Sequence, residues 1–463
     1  MNINDTLRYL NVGLPQDIMQ HKAYGNLEEA IRLIDLRLEK KNVPQSLRCC
    51  MIAQREIMRR LPSEYPYTRA EALAMMRSDI PDFTEEEFDQ LVDNGRIYWI
   101  YLNGEVRYFC RFYETLLKTE ADIAKRAGQE LPANEKDSGS NLISDTVKIM
   151  KEKGSLTKQI RVRATIRLKD EFFTPGMFMR VHLPVAADCE QQSDIQVEKV
   201  WPENGAVAPS DALQRTVCWE ENMAENHPFE VVYSYTHKAV YHDTSKMVGD
   251  AEQPDFCTEE QPPHIVFTPY IRELVSSLTE GVTDPLEKAR RFYDFITLNM
   301  KYSFQPEYFV LENIAEGCAR NFTGDCGVLA LLFITLCRCA GIPAQWQSGE
   351  CAEPGDCGSH DWARFYVAPH GWLFADPSFG TSAARRGAED ERRFYFGSLD
   401  PYRMVANRKF QTGFEIPKEH WRADPYDNQE GELETTDRGF LGCELIRTHI
   451  PLSCEDITDT ICK

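Results

Sequence analysis

The sequence predicts an α+β protein of several domains, and three features carry that expectation. The hydrophobic period changes from helical to alternating near residue 158, and a nearly all-apolar helix begins at Cys326. The chain also has 463 residues, too many for one ordinary core. Its formal net charge of −21 argues against nucleic acid or an anionic membrane as a partner, because both require clustered Lys and Arg. Residues Met1 to Thr6 show no basic stretch leading into an apolar one, and no apolar run reaches the length of a membrane span. Neither a secretory leader nor a transmembrane helix is therefore expected. The 15 cysteines are scattered through a long chain, which predicts reduced thiols and a cytoplasmic location rather than a disulfide scaffold.

Residues 1–125 read as mainly helical. Asn26 can cap a helix that carries Leu27, Ile31, Ile34 and Leu38 on one face. Thr84 and Glu87 form a capping box for a helix through Val92, which Gly95 ends. Asn103-Gly104, flanked by aromatic and aliphatic residues, predicts a type I′ hairpin. Two helices and a hairpin also outline a winged helix. Residues 66–118 hold ten acidic and six basic side chains, however, and that balance suits packing or substrate gating better than DNA.

Polar residues over 126–157 predict a linker running into a short helix near 142–152. Ile160, Val162, Ala164, Ile166 and Leu168 then alternate with Arg161, Arg163, Thr165 and Arg167, as in a half-buried strand. With Met177 to Leu183, Ile195 to Trp201 and Phe229 to Tyr235, this predicts a β-sandwich over 158–245. Asp284-Pro285 opens the helix that buries Leu286, Ala289, Phe292 and Ile296. The Cys326 helix and a set of strands follow, giving a domain over 260–415. Residues 416–463 read as an extension with one strand from Phe440 to Arg447.

Candidate chemistry concentrates at Cys326, His360 and Asp376. The run from Val328 to Leu336 is so apolar that its helix must lie inside the domain. A thiol at the front of that helix feels the positive end of the helix dipole, which lowers its pKa below the ordinary value of about 8.5. Backbone N–H groups there can also hold an oxyanion. Taken alone, Cys326 reads more readily as an inert buried thiol than as a nucleophile. His360 shares a strand face with Trp362, Arg364 and Tyr366, while Asp376 shares one with Trp372 and Phe374. A four-residue loop would set position 376 against 363, on the face away from His360. An odd-length turn or a bulge is therefore expected, setting 376 against 364 on the same face as His360.

Cys337, Cys339, Cys351, Cys357 and His360 are close in sequence, but their spacing is not that of zinc ligands. No Cys-x-x-Cys, glycine-rich phosphate loop or Gly-x-Ser-x-Gly occurs, so no cofactor is expected.

Five blocks occur in order: Asn299 to Tyr302; Gly324-Asp325-Cys326-Gly327; the Leu/Phe-rich helix ending at Arg338 to Ala344; His360-Asp361-Trp362; and Trp372 to Pro377. Together, over about 265–415, they resemble the core of the transglutaminase-like superfamily. The region 158–240 is similar to the β-domain that precedes this core in bacterial members. The resemblance implies a papain-like core with a Cys326–His360–Asp376 triad. It implies a thioester formed on a protein or peptide substrate and resolved by water or an amine. It also suggests Tyr302, with Trp362, as oxyanion or substrate residues. Asp361 stands where relatives often carry a small residue. The alternative is a catalytically silent binding or scaffold protein on the same fold.

Overall fold

The computed structural model describes residues 2–129 and 140–461; residues 130–139, within the expected linker region 126–157, lie outside them. The chain divides into two compact units. The first comprises Met1–Leu142 together with Gln261–Val266 and Lys301–Asp325. Its helices include Leu27–Leu38, Gln45–Glu64, Arg69–Asp79 and Glu85–Asp93. They close over a core that contains Ile34, Met58, Met76, Phe88 and Phe112. Thr84 and Glu87 form the expected capping box, and Thr68 with Glu71 forms another. Asn26 occupies the N-cap position, yet its side chain makes no cap bond; its amide instead lies 3.3 Å from His21 Nδ1. The hairpin pairs Trp99–Leu102 with Glu105–Tyr108. Asn103 and Gly104 both take positive φ, 51° and 84°, as a type I′ turn requires.

The expected single domain over 260–415 is thus divided. Residues 301–325 fold with the N-terminal helices because their apolar and polar groups find partners there. Gln54 Nε2 donates to Glu312 Oε1 at 2.8 Å, and the Tyr98 hydroxyl bonds Thr323 Oγ1 at 2.7 Å. The Arg60 guanidinium lies 3.6 Å from the ring centre of Phe309.

The second unit holds the sandwich and the core sheet. One sandwich sheet runs in the order Leu445–Asp456, Ser155–Leu168, Phe229–Val240, Gln192–Trp201. The other runs Glu432–Glu434, Met177–Pro184, Thr216–Met223, Ala206–Val207. Ile160, Val162, Ala164 and Ile166, the alternating set, are fully buried between them, so the period-two pattern marks the inward face. The C-terminal segment is therefore not an extension: its strands form an edge of each sheet. The strand expected at Phe440 to Arg447 lies at Leu445–Asp456, with Gly442–Glu444 forming a single 3-10 turn before it. Pro451 at a register shift disguises this strand in the sequence.

The core sheet has five strands, ordered Phe396–Gly397, Gly371–Ala375, Asp356–Val367, Ala344–Glu353, Arg403–Asn407. The helix Cys326–Cys339 carries a fully buried apolar run from Leu329 to Ile334. Phe333 meets Phe365 of the sheet edge to face, with ring centres 5.5 Å apart. None of the fourteen cysteines among the described residues is in a disulfide. No described helix is long and apolar enough to cross a membrane.

Candidate active site

The hairpin that carries His360 and Asp376 turns through three residues, since Val367 pairs with Gly371. The expected odd-length turn is present, but each residue removed from the loop lowers the partner number. The register therefore runs toward 362 opposite 376, not 364. Parity is the same, and the two side chains meet: His360 Nε2 lies 2.7 Å from Asp376 Oδ2. Asp376 ends the strand and serves as N-cap of the helix Pro377–Arg386, its Oδ1 accepting from the Phe379 N–H at 2.9 Å. One carboxylate thus divides its oxygens between a helix cap and the histidine.

The surroundings fix the protonation states. Burial holds the His360 imidazole below its ordinary pKa against the pull of Asp376. Burial alone would raise the Asp376 carboxyl, but His360 and Arg403 outweigh it and carry the carboxyl below the ordinary range. A neutral imidazole beside an ionised carboxylate places the ring proton on Nε2, donated to Asp376, and leaves the Nδ1 lone pair available. Phe379 and Trp362 flank the ring, with centres 4.8 Å and 6.1 Å from that of His360.

Arg403 is the residue here that sequence reasoning missed. Its side chain is fully buried. Nη2 donates to Asp400 Oδ2 at 2.6 Å, and Nη1 stands 2.9 Å from Asp376 Oδ2. That second contact is an ion pair rather than a hydrogen bond, because Nη1 lacks hydrogen-bond geometry to any acceptor. The signal in the sequence is slight: one arginine entering the apolar strand Met404, Val405, Ala406.

Trp362 is fully buried, and its Nε1–H already donates to Gln347 Oε1 at 2.9 Å. Its indole N–H is thus already engaged, and its ring lies on the His360 side of the strand, with centres 6.1 Å apart. Tyr302 belongs to the helical unit, where Lys301–Tyr302 pairs in parallel with Thr323–Gly324.

Cys326 opens its helix at intermediate exposure. Its thiol donates to Asp361 Oδ2 at 3.3 Å. Gln429 Nε2 donates to the other Asp361 oxygen at 2.7 Å and to the His360 carbonyl at 2.9 Å. Among the described residues, no group of three or more His, Cys, Asp or Glu side chains is gathered as a metal site.

Residues 272–377 match the model of the transglutaminase-like superfamily. The chain therefore carries a transglutaminase-like domain, in a protein of mixed helix and sheet. No curated protein matches it. Among solved structures, a presumed cysteine protease from Cytophaga hutchinsonii aligns at 15% identity over 65% of this chain and 91% of its own, with a TM-score of 0.39. The periplasmic domain of TgpA from Pseudomonas aeruginosa aligns at 14% identity over 54% of this chain and 96% of its own, with a TM-score of 0.26. At such identity and score, neither neighbour carries its chemistry over to this chain.

Proposed function

We propose that the protein is a cysteine-dependent amide hydrolase or acyl transferase acting on protein or peptide substrates. The observation that carries this reading is the buried His360–Asp376 hydrogen bond, held in a transglutaminase-like domain whose apolar helix begins with Cys326. Cys326 Sγ attacks the carboxamide carbon while His360 Nδ1 takes the thiol proton. Asp376 keeps the ring in the tautomer that leaves Nδ1 basic and stabilises the imidazolium that forms. The Cys326 backbone N–H, at the helix N-terminus, faces the developing oxyanion. Imidazolium then protonates the leaving amine, and a thioester remains. Water or a second amine, deprotonated by His360, resolves it. The cysteine content and the lack of disulfides among the described residues support a reducing, cytoplasmic setting for such a thiol.

The test uses the full chain with glutamine-containing peptides and a primary amine, followed by mass spectrometry. Wild type is expected to yield peptide-bond cleavage, side-chain deamidation or amine incorporation, and Cys326→Ala none of them. Product formation that survives in Cys326→Ala, or fails in both proteins, would overturn the reading.

A further inference from the structure

A pocket of about 230 Å³ lies where the sandwich strand Phe229–Val240 meets the core strand Gly371–Ala375. Gln191, His237, Trp372, Phe374 and Leu399 are among the residues that line it. Gln191 is 7% exposed and His237 is 1% exposed. A chain of three side chains sets the orientation of the Gln191 amide. An indole N–H can only donate, so Trp362 Nε1 fixes Gln347 with its Oε1 toward the ring, at 2.9 Å. Gln191 must then meet that same oxygen with its NH2 group, and its Nε2 donates there at 2.7 Å. The Gln191 Oε1 atom is left as an acceptor, and it finds no hydrogen-bond partner among the described residues. His237 Nδ1 has none either. Burial lowers the pKa of the His237 imidazole to about 4, so the ring is neutral at physiological pH. Buried polar atoms are ordinarily paired, and an unpaired one is costly; here two of them belong to residues that line one pocket.

We propose that this pocket binds a small uncharged ring compound that presents an N–H donor to Gln191 Oε1. The volume sets the size: a cavity of about 150 Å³ holds a benzene ring, so 230 Å³ takes one ring with a short substituent. Half-buried Trp372 and Phe374, with buried Leu399, give that ring an apolar wall. The free oxygen of Gln191 repels an anion. Exposed Glu190 and Lys238 also line the pocket and offset one another in charge, so a buried cation would lack a counter-ion. The chain that orients Gln191 starts at Trp362, whose ring centre is 6.1 Å from that of His360. The binding itself is independent of the reading of Cys326 as nucleophile.

The experiment is isothermal titration calorimetry of the full chain with aniline and toluene as probes. The two have nearly the same shape and are both uncharged at neutral pH, but only aniline carries N–H donors. Wild type is expected to bind aniline at one saturable site, half-filled at or below about 10 mM. Gln191→Leu and Gln191→Met each remove the acceptor. Both are expected to bind aniline at least about tenfold more weakly, with toluene not weakened. Leu399→Trp keeps Gln191 but narrows the pocket, and it should also weaken aniline. A cooperative thermal melt reports that each variant is folded. No saturable aniline binding to wild type would overturn the inference, as would unchanged aniline binding in the folded variants. Equal weakening of both probes in the Gln191 variants would overturn it too, because the loss would then come from repacking rather than from the acceptor.

Discussion

Arg403→Met is expected to lower the stability of the unit containing it by about 3–5 kcal/mol, because it strands two buried carboxylates. Asp376 and Asp400 are 0% and 1% exposed and share this one guanidinium at 2.9 Å and 2.6 Å. Methionine fills most of the volume, so the loss is electrostatic rather than a cavity effect. The chemistry changes with it. Arg403 is among the groups that lower the His360 pKa, so its removal leaves the pull of Asp376 less opposed and moves the imidazole upward. A thermal melt is expected to shift down by roughly 10 °C, and adding Asp400→Asn should restore part of it. A melting temperature within about 2 °C of wild type would show that the pairing contributes nothing.

Removing residues 441–463 is expected to unfold the sandwich rather than trim a tail. The strand Leu445–Asp456 runs antiparallel to Ser155–Leu168 along almost its whole length. Phe440 and Leu433, just before the cut, belong to the same core as Ile160 and Trp219. Losing this ladder forfeits backbone hydrogen bonds worth several kcal/mol together, comparable with the stability of a whole domain. It also bares the edge of a strand that pairs in the middle of the sheet. Circular dichroism and sedimentation of the shortened chain should report loss of cooperative unfolding and aggregation. A soluble chain with the full-length melting temperature would restore the view of 416–463 as a dispensable extension.

These two expectations mark where the sequence was and was not readable. Local chemistry could be read: the Thr84 capping box, the Asn103-Gly104 hairpin and the alternation from Ile160 each depend on neighbours in sequence. The shared face of His360 and Asp376 was readable too, because strand parity is arithmetic, although the partner position was displaced by two. Arg403 could not be found this way. It lies 27 residues after Asp376, and its partners are chosen by the packing of a sheet edge. Gln429 reaches Asp361 from a loop with no pattern of its own. The folding of residues 301–325 with the N-terminal helices rests on pairs such as Gln54 with Glu312, separated by 258 positions. Asp361 was visible as an unusual residue after the histidine, but its contact with the thiol required the helix and strand to be placed.

The central claim is that His360 activates Cys326. The most direct measurement is the rate of iodoacetamide labelling of Cys326 between pH 6 and 8, in wild type and in His360→Ala, with exposed Cys443 as the internal reference. A positioned base contributes roughly 10²-fold or more to a proton transfer, so labelling of Cys326 should fall by at least about tenfold in the variant while Cys443 is unchanged. Equal Cys326 rates in the two proteins, no faster than Cys443, would contradict the claim and leave the domain as a binding scaffold.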